Sequence, residues 1–290
     1  MTRDLTEQRL AGMRILGISA VIIAVFVACF LGLNWLEFRS LPESQPKTFE
    51  SVQLEAEKGD PDAQYRLGGY YFQGNGVRQN YNAAAKWFWK SAQSGNPYAQ
   101  DSLAACFESG LGLAKDEAEA VKWYRKAAEQ GDGDAEFNLS RCLHNGIGGT
   151  QDKAEAVVWM EKSAEQGFAP AEFEIGLNYW DGLDVKMDET KGIGYLQKAA
   201  DQGEPAAFHL LSGAYYLGKG VKQDYVQCYK WTLLFMDTGS PSIPDDPASL
   251  QAQLADVEAK LTPEQIKEGK RLAAETRLRL AKQAKLDGEP

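Results

Sequence analysis

The sequence predicts an all-α solenoid of five tandem helix pairs, preceded by one membrane-spanning helix. Three observations carry this reading. Gly59, Gly95, Gly131, Gly167, Gly203 and Gly239 stand 36 residues apart. Columns of small and apolar residues keep the same register. Residues 15–36 form an apolar run without a charge.

The chain has 290 residues, 44% hydrophobic and 25% charged. That is enough to bury a large core, and it is not a disordered composition. The net charge is −10, and residues 1–47 contribute five basic and four acidic side chains, leaving −11 on the rest. A body this acidic excludes general binding to nucleic acid or to anionic lipid, which needs clustered cations.

Residues 1–14 form a short N-terminal segment. Residues 15–36, ILGISAVIIAVFVACFLGLNWL, would span about 33 Å as a helix, close to the ~30 Å hydrocarbon core. Trp35 falls at the far edge, where an aromatic ring favours the interface. A cleaved signal peptide competes with this reading. Its apolar core is usually shorter and is followed by a small-residue site, whereas Phe30, Leu31 and Leu33 continue this run. Val27-Ala28-Cys29 resembles a lipoprotein box only faintly, because apolar residues follow the cysteine. Arg3, Arg9 and Arg14 precede the span, and Arg39 and Lys47 follow it. This small bias favours a cytoplasmic N-terminus. The expected location is the inner membrane, single-pass, with the repeats in the periplasm. Residues 37–47 form the linker, where Pro42 and Pro46 stop the membrane helix.

Residues 48–239 hold the repeats, and each column has a physical reading. Asp60 caps a helix and Pro61 suits its first turn. Ala63, Leu67 and Tyr71 recur every four residues on one helical face. They match Ala99, Leu103 and Phe107 in the next copy. Gly68 allows a neighbouring helix to approach. Gly74-Asn75-Gly76 ends the helix with the positive-φ turn that glycine permits. Asn80 caps the second helix, as do Asp116, Asp152, Asp188 and Asp224 in later copies. Trp87 and Ala92 face inward. The column of Trp87 reads Trp123, Trp159, Tyr195 and Trp231 further on. One helix pair cannot cover its own apolar face; a stack of them can.

The pattern A-x-x-G-D-x-x-A-Q-x-x-L-G-x-x-Y-x-x-G-x-G-V, then D-x-x-x-A-x-x-W-Y-x-K-A-A, resembles the Sel-1-like repeat family, a relative of the tetratricopeptide repeats. Residues 120–148 carry much of the signature, and the resemblance covers about 51–239. It implies a right-handed superhelical solenoid acting as an adaptor or scaffold. Copies depart from the pattern in places. Asp184 replaces the second turn glycine in copy four, Gly149 replaces the valine in copy three, and copy five ends WTLLFMDTG.

Both ends suit caps. Thr48–Lys58 reads as a leading helix. Residues 240–290 form a C-terminal helical cap: a proline-rich loop, a helix over Ser249–Leu261, then a helix opened by Thr262-Pro263-Glu264-Gln265 as a capping box. Residues 263–286 carry seven basic and three acidic side chains, which reads as a solvated face or as a contact for an acidic partner.

In tetratricopeptide-like arrays the first helix of each pair lines the concave face. Positions 65, 69 and 72, spaced i, i+4, i+7, form a stripe apart from the core columns. It contains Tyr65, Asp101, Phe137, Phe173 and His209. It also contains Phe72, Glu108, His144, Trp180 and Tyr216. Between them lie Gly69, Ala105, Arg141, Leu177 and Gly213. This aromatic, variable stripe suits an extended peptide or amphipathic helix of a protein partner. The alternative is that the rings only pack between helices.

Candidate chemistry is sparse. The two histidines lie 65 residues apart, and no H-E-x-x-H or G-x-S-x-G occurs. Ser44–Lys47 is an S-x-x-K broken by Pro46. The G-x-G pairs recur with the repeat and lack a preceding strand, so they read as turns. Asp101 and Glu108 share a helical face but are a weak pair. No cofactor, metal or catalytic residue is expected, and an enzyme is not. Cys106 and Cys142 sit on successive first helices, expected about 8–10 Å apart and unbonded. Cys228 takes an alanine position in the core, and Cys29 lies in the apolar run. A cysteine-rich branch of the family, described as beta-lactamases or penicillin binders, pairs cysteines in each repeat; this chain does not. The main expectation is therefore an adaptor. A cell-wall-ligand-binding or hydrolytic, beta-lactamase-like repeat protein is the alternative, and a structural spacer is a third reading.

Overall fold

A computed structural model describes residues 48–238 and 247–286 of the chain. Among them are thirteen helices. A leading helix α1, Phe49–Glu57, is followed by five pairs. These are α2 Pro61–Gln73 with α3 Tyr81–Gln93, α4 Pro97–Ser109 with α5 Glu117–Ala128, α6 Gly133–Asn145 with α7 Lys153–Glu165, α8 Ala169–Asp181 with α9 Glu189–Asp201, and α10 Pro205–Leu217 with α11 Tyr225–Thr238. Helices α12, Pro247–Glu258, and α13, Pro263–Leu286, complete the described chain. By its internal contacts the chain divides within α8. Described residues 48–175 belong to one unit and those from 176 onward to the other.

The boundaries follow from capping chemistry. Asp60 Oδ1 accepts from the amides of Asp62 and Ala63, and Asn80 Oδ1 accepts from Ala83 N. Asp116, Asp152 and Asp188 repeat the Asn80 cap. Each satisfies a backbone donor that the helix leaves open, about 1 kcal/mol apiece. Gly74, Gly110, Gly146 and Gly218 close their first helices in the left-handed conformation. The second turn glycine has a different reason. A Cβ on Gly148 would stand 2.2 Å from the Glu117 carbonyl oxygen, so this turn rests directly on the start of α5. Copy four lacks that glycine, and no residue other than glycine has positive φ among the described residues. Its turn at Asp184 is therefore built differently.

Within each unit the core is the repeat stacked. Leu67, Leu103, Leu139, Ile175 and Leu211 are fully buried. At about 25 cal/mol per Å² of apolar area, each contributes roughly 2 kcal/mol. In the first four copies the residue after the tryptophan column is the deeper one: Phe88, Tyr124, Met160 and Leu196 are buried, while Trp87 is only half-buried. The exposed edge of that column carries cations. Lys90, Lys126 and Lys162 place Nζ 3.8–4.0 Å from the ring centroids of Trp87, Trp123 and Trp159. Cys106, Cys142 and Cys228 are buried and free.

Two expectations need correction. The first cap helix spans Pro247–Glu258 rather than Ser249–Leu261, because Leu261 belongs to the turn before Thr262. That threonine and Gln265 do form the reciprocal capping box, at 2.9 and 3.3 Å. The inner-membrane location is withdrawn. No helix among the described residues is long and apolar enough to cross a membrane. The longest, α13, is long enough but carries ten charged side chains. The apolar run 15–36, on which the location rested, lies outside the described residues.

Candidate functional site

The stripe behaves differently from copy to copy. In copy one it is a plug. Tyr65 is buried between Phe88 and Tyr98, with centroids 6.0 Å away in each case. Phe72 is buried against Tyr81 at 5.1 Å and Phe88 at 6.3 Å. Burial, and then the Asp101 carboxylate, push the Tyr65 phenol up. Gly69 is buried here too.

In copies two to four, up to residue 175, the stripe is polar. Asp101 is 8% exposed and accepts from Asn138 Nδ2 at 3.0 Å. Burial, then Asp132, hold its carboxyl well above the usual range. Glu108 accepts from the Tyr124 hydroxyl at 2.9 Å, and Arg141 Nη2 lies 2.6 Å from both of its carboxylate oxygens. Burial works against the Arg141 charge, but Glu108 outweighs it and the guanidinium is raised. Phe137 is half-buried with its ring 5.3 Å from Phe168. His144 is half-buried, Ala105 likewise, and Phe173 is buried.

Sequence reasoning missed two members of this group. Glu174, three residues before Leu177, is off the stripe by position but joined to it by field. Glu108, Arg141 and Glu174 lie 33 residues apart in turn, one repeat less about one helical turn. They step diagonally across α4, α6 and α8. Burial pushes the Glu174 carboxyl up to about 7, and Arg141 pulls it partly back. A search at the 36-residue period passes over this line; a search at 33 finds it. Tyr124, on a second helix, was missed because it sits in a core column.

In the other unit the stripe is covered only in part, by contacts from the chain itself. Trp180 is buried, with Lys219 Nζ 4.2 Å from its ring, and Leu177 is half-buried. The His209 ring stands 5.1 Å from Phe235, beside half-buried Gly213. The Tyr216 hydroxyl donates to Asp256 Oδ2 at 2.7 Å, and Lys260 Nζ is 5.3 Å from its ring. Helix α12 therefore stands over the last stripe position. None of these groups presents a nucleophile next to a base, and among the described residues no cluster of three metal-ligating side chains occurs.

The Sel1 repeat family model matches residues 61–96, 97–132, 133–168, 169–204 and 206–234. Among solved structures, the chain is similar to a Sel1 repeat protein from Oxalobacter formigenes, at 30% identity and a TM-score of 0.66 over 71% of this chain. It is also similar to a protective antigen of uropathogenic Escherichia coli displaying an SLR fold, at 27% identity and a TM-score of 0.60 over 84% of this chain. The match spans 58% of each of those proteins. Comparison with curated proteins finds no match.

Proposed function

The chain belongs to the Sel1 repeat family, and on that premise we propose that it is a non-catalytic scaffold. It holds another protein along the first helices α4, α6 and the beginning of α8. The observation that carries this is the contrast along one stripe. Copy one fills its positions with buried rings. Copies two to four place a largely buried ion pair, Glu108–Arg141, with side chains 21% and 19% exposed, and the half-buried ring of Phe137 there instead. A core with no partner to meet has no need of ions at these positions, since apolar side chains of similar volume stabilise as well or better.

The test is a photo-crosslinking side chain placed at Phe137 in the full chain, with one at Val158 as control. Val158 lies on α7 and is 50% exposed. A discrete partner protein captured from position 137 and absent from 158 supports the scaffold. The same capture pattern from both positions sinks it.

A further inference from the structure

The partner's chemistry can be read from how charge is divided between the helices of residues 48–175. Up to residue 175 the first helices carry seven acidic side chains and two arginines. The second helices carry seven basic and five acidic ones. The cations are also occupied there: Lys90, Lys126 and Lys162 lie over tryptophan rings, and Arg125 is paired with Glu155. The first-helix surface is thus acidic, and the cations of the second helices do not neutralise it.

One acid on that surface is left over. Asp101 has Asn138, and Glu108 has Tyr124 and Arg141. Glu174 is enclosed by protein while keeping partial solvent access, and it makes no hydrogen bond or ion pair among the described residues. Its one charged neighbour of opposite sign, Arg141, is spent on Glu108. An enclosed carboxylate without a donor is costly. A cation brought by a ligand removes that cost. Asp101, Glu136 and Glu172 are buried, which leaves Glu108, Asp134 and Glu174 against Arg141 over residues 97–175 and disfavours an acidic ligand.

We infer that the stripe over residues 97–175 receives a cationic segment of the partner, with a lysine or arginine side chain pairing with Glu174 beside Arg141. Phe137 supplies apolar contact for the stem of that side chain, as long basic side chains pack their methylenes while their heads stay polar. The pairing is worth most where the surroundings are least polar, which is why Glu174 rather than the surface acids selects the partner. This inference rests on the scaffold reading and names the partner's chemistry within it.

The test measures binding of the full chain to synthetic peptides of one length, lysine-rich, uncharged and glutamate-rich, by fluorescence anisotropy at ~0.15 M salt. The lysine-rich peptide is expected to bind at least about tenfold more tightly than either other. Glu174→Gln keeps the side-chain volume and should weaken that binding about tenfold. Glu129→Gln, an exposed acid at the end of α5, removes the same charge and should leave it unchanged. Equal losses in the two variants would mean diffuse attraction and overturn the inference. So would equal or tighter binding of the uncharged or glutamate-rich peptide, and in that case the scaffold stands if position 137 still captures a partner. Loss of capture at 137 overturns the scaffold itself.

Discussion

The two units of the chain surround the same stripe differently. In residues 48–175 the stripe runs from a buried aromatic plug into a charged diagonal that ends at an unpaired glutamate. From residue 176 onward it is buried at Trp180 and roofed at Tyr216 by α12. The core columns are the same in both: Ala135 and Ala207 are equally buried, as are Leu139 and Leu211. The repeat therefore fixes the stack, and the three positions outside the core columns are where the copies differ in residue type and in what covers them.

The largest effect is expected at a turn. Gly148→Ala needs positive φ from alanine and a Cβ against the backbone of α5. A loss of about 3–4 kcal/mol is expected in urea denaturation. Asp184→Gly, at the matching site in copy four, should change stability by less than about 1 kcal/mol, since that turn does not use the left-handed conformation. Arg141→Ala comes next. It leaves Glu108 with Tyr124 alone and Glu174 with no cation. The pair is partly exposed, so the expected cost is about 2 kcal/mol rather than the larger loss of a fully buried one. Adding Glu108→Ala should recover part of it in a double-mutant cycle.

The third change has the opposite sign. The folded Glu174 carboxyl, about 7, lies above its unfolded value near 4.5. The folded state therefore holds the proton longer, and this group lowers stability as pH rises from 4.5 to 7. Glu174→Gln should be more stable than the parent by about 1–3 kcal/mol above pH 7, with no gain below pH 4. A thermal unfolding series across that range reads the difference. The smallest effect belongs to the roofed end. Tyr216→Phe removes one exposed hydrogen bond to Asp256 and should cost about 0.5–1 kcal/mol.

Much of this was legible in the sequence. Asp60, Asn80 and the Thr262–Gln265 box announce their helix ends, because caps are local chemistry. The leucine and alanine columns announce the core, because identical units bury identical positions. The Glu108–Arg141–Glu174 diagonal was not legible, since the Glu108–Arg141 contact spans 33 residues and so falls outside the 36-residue columns. Nor was the cover over Tyr216, because α12 reaches it from 40 residues away along the chain. By spacing alone Tyr65 and Phe72 share one aromatic stripe with Phe137. The sequence pattern could not tell a ring buried by its own second helix, as Phe88 buries the first two, from one left half-open.

On the proposed reading the stripe meets a partner at Phe137, whereas at Tyr216 it meets α12 of its own chain. A photo-crosslinker at Phe137 and, separately, at Tyr216 tests it in a single experiment on the full chain. The expected result is a captured protein at 137, joined through a lysine- or arginine-bearing segment, and only intramolecular links to α12 at 216. Capture from 216 as strong as from 137, or from 216 alone, would contradict it.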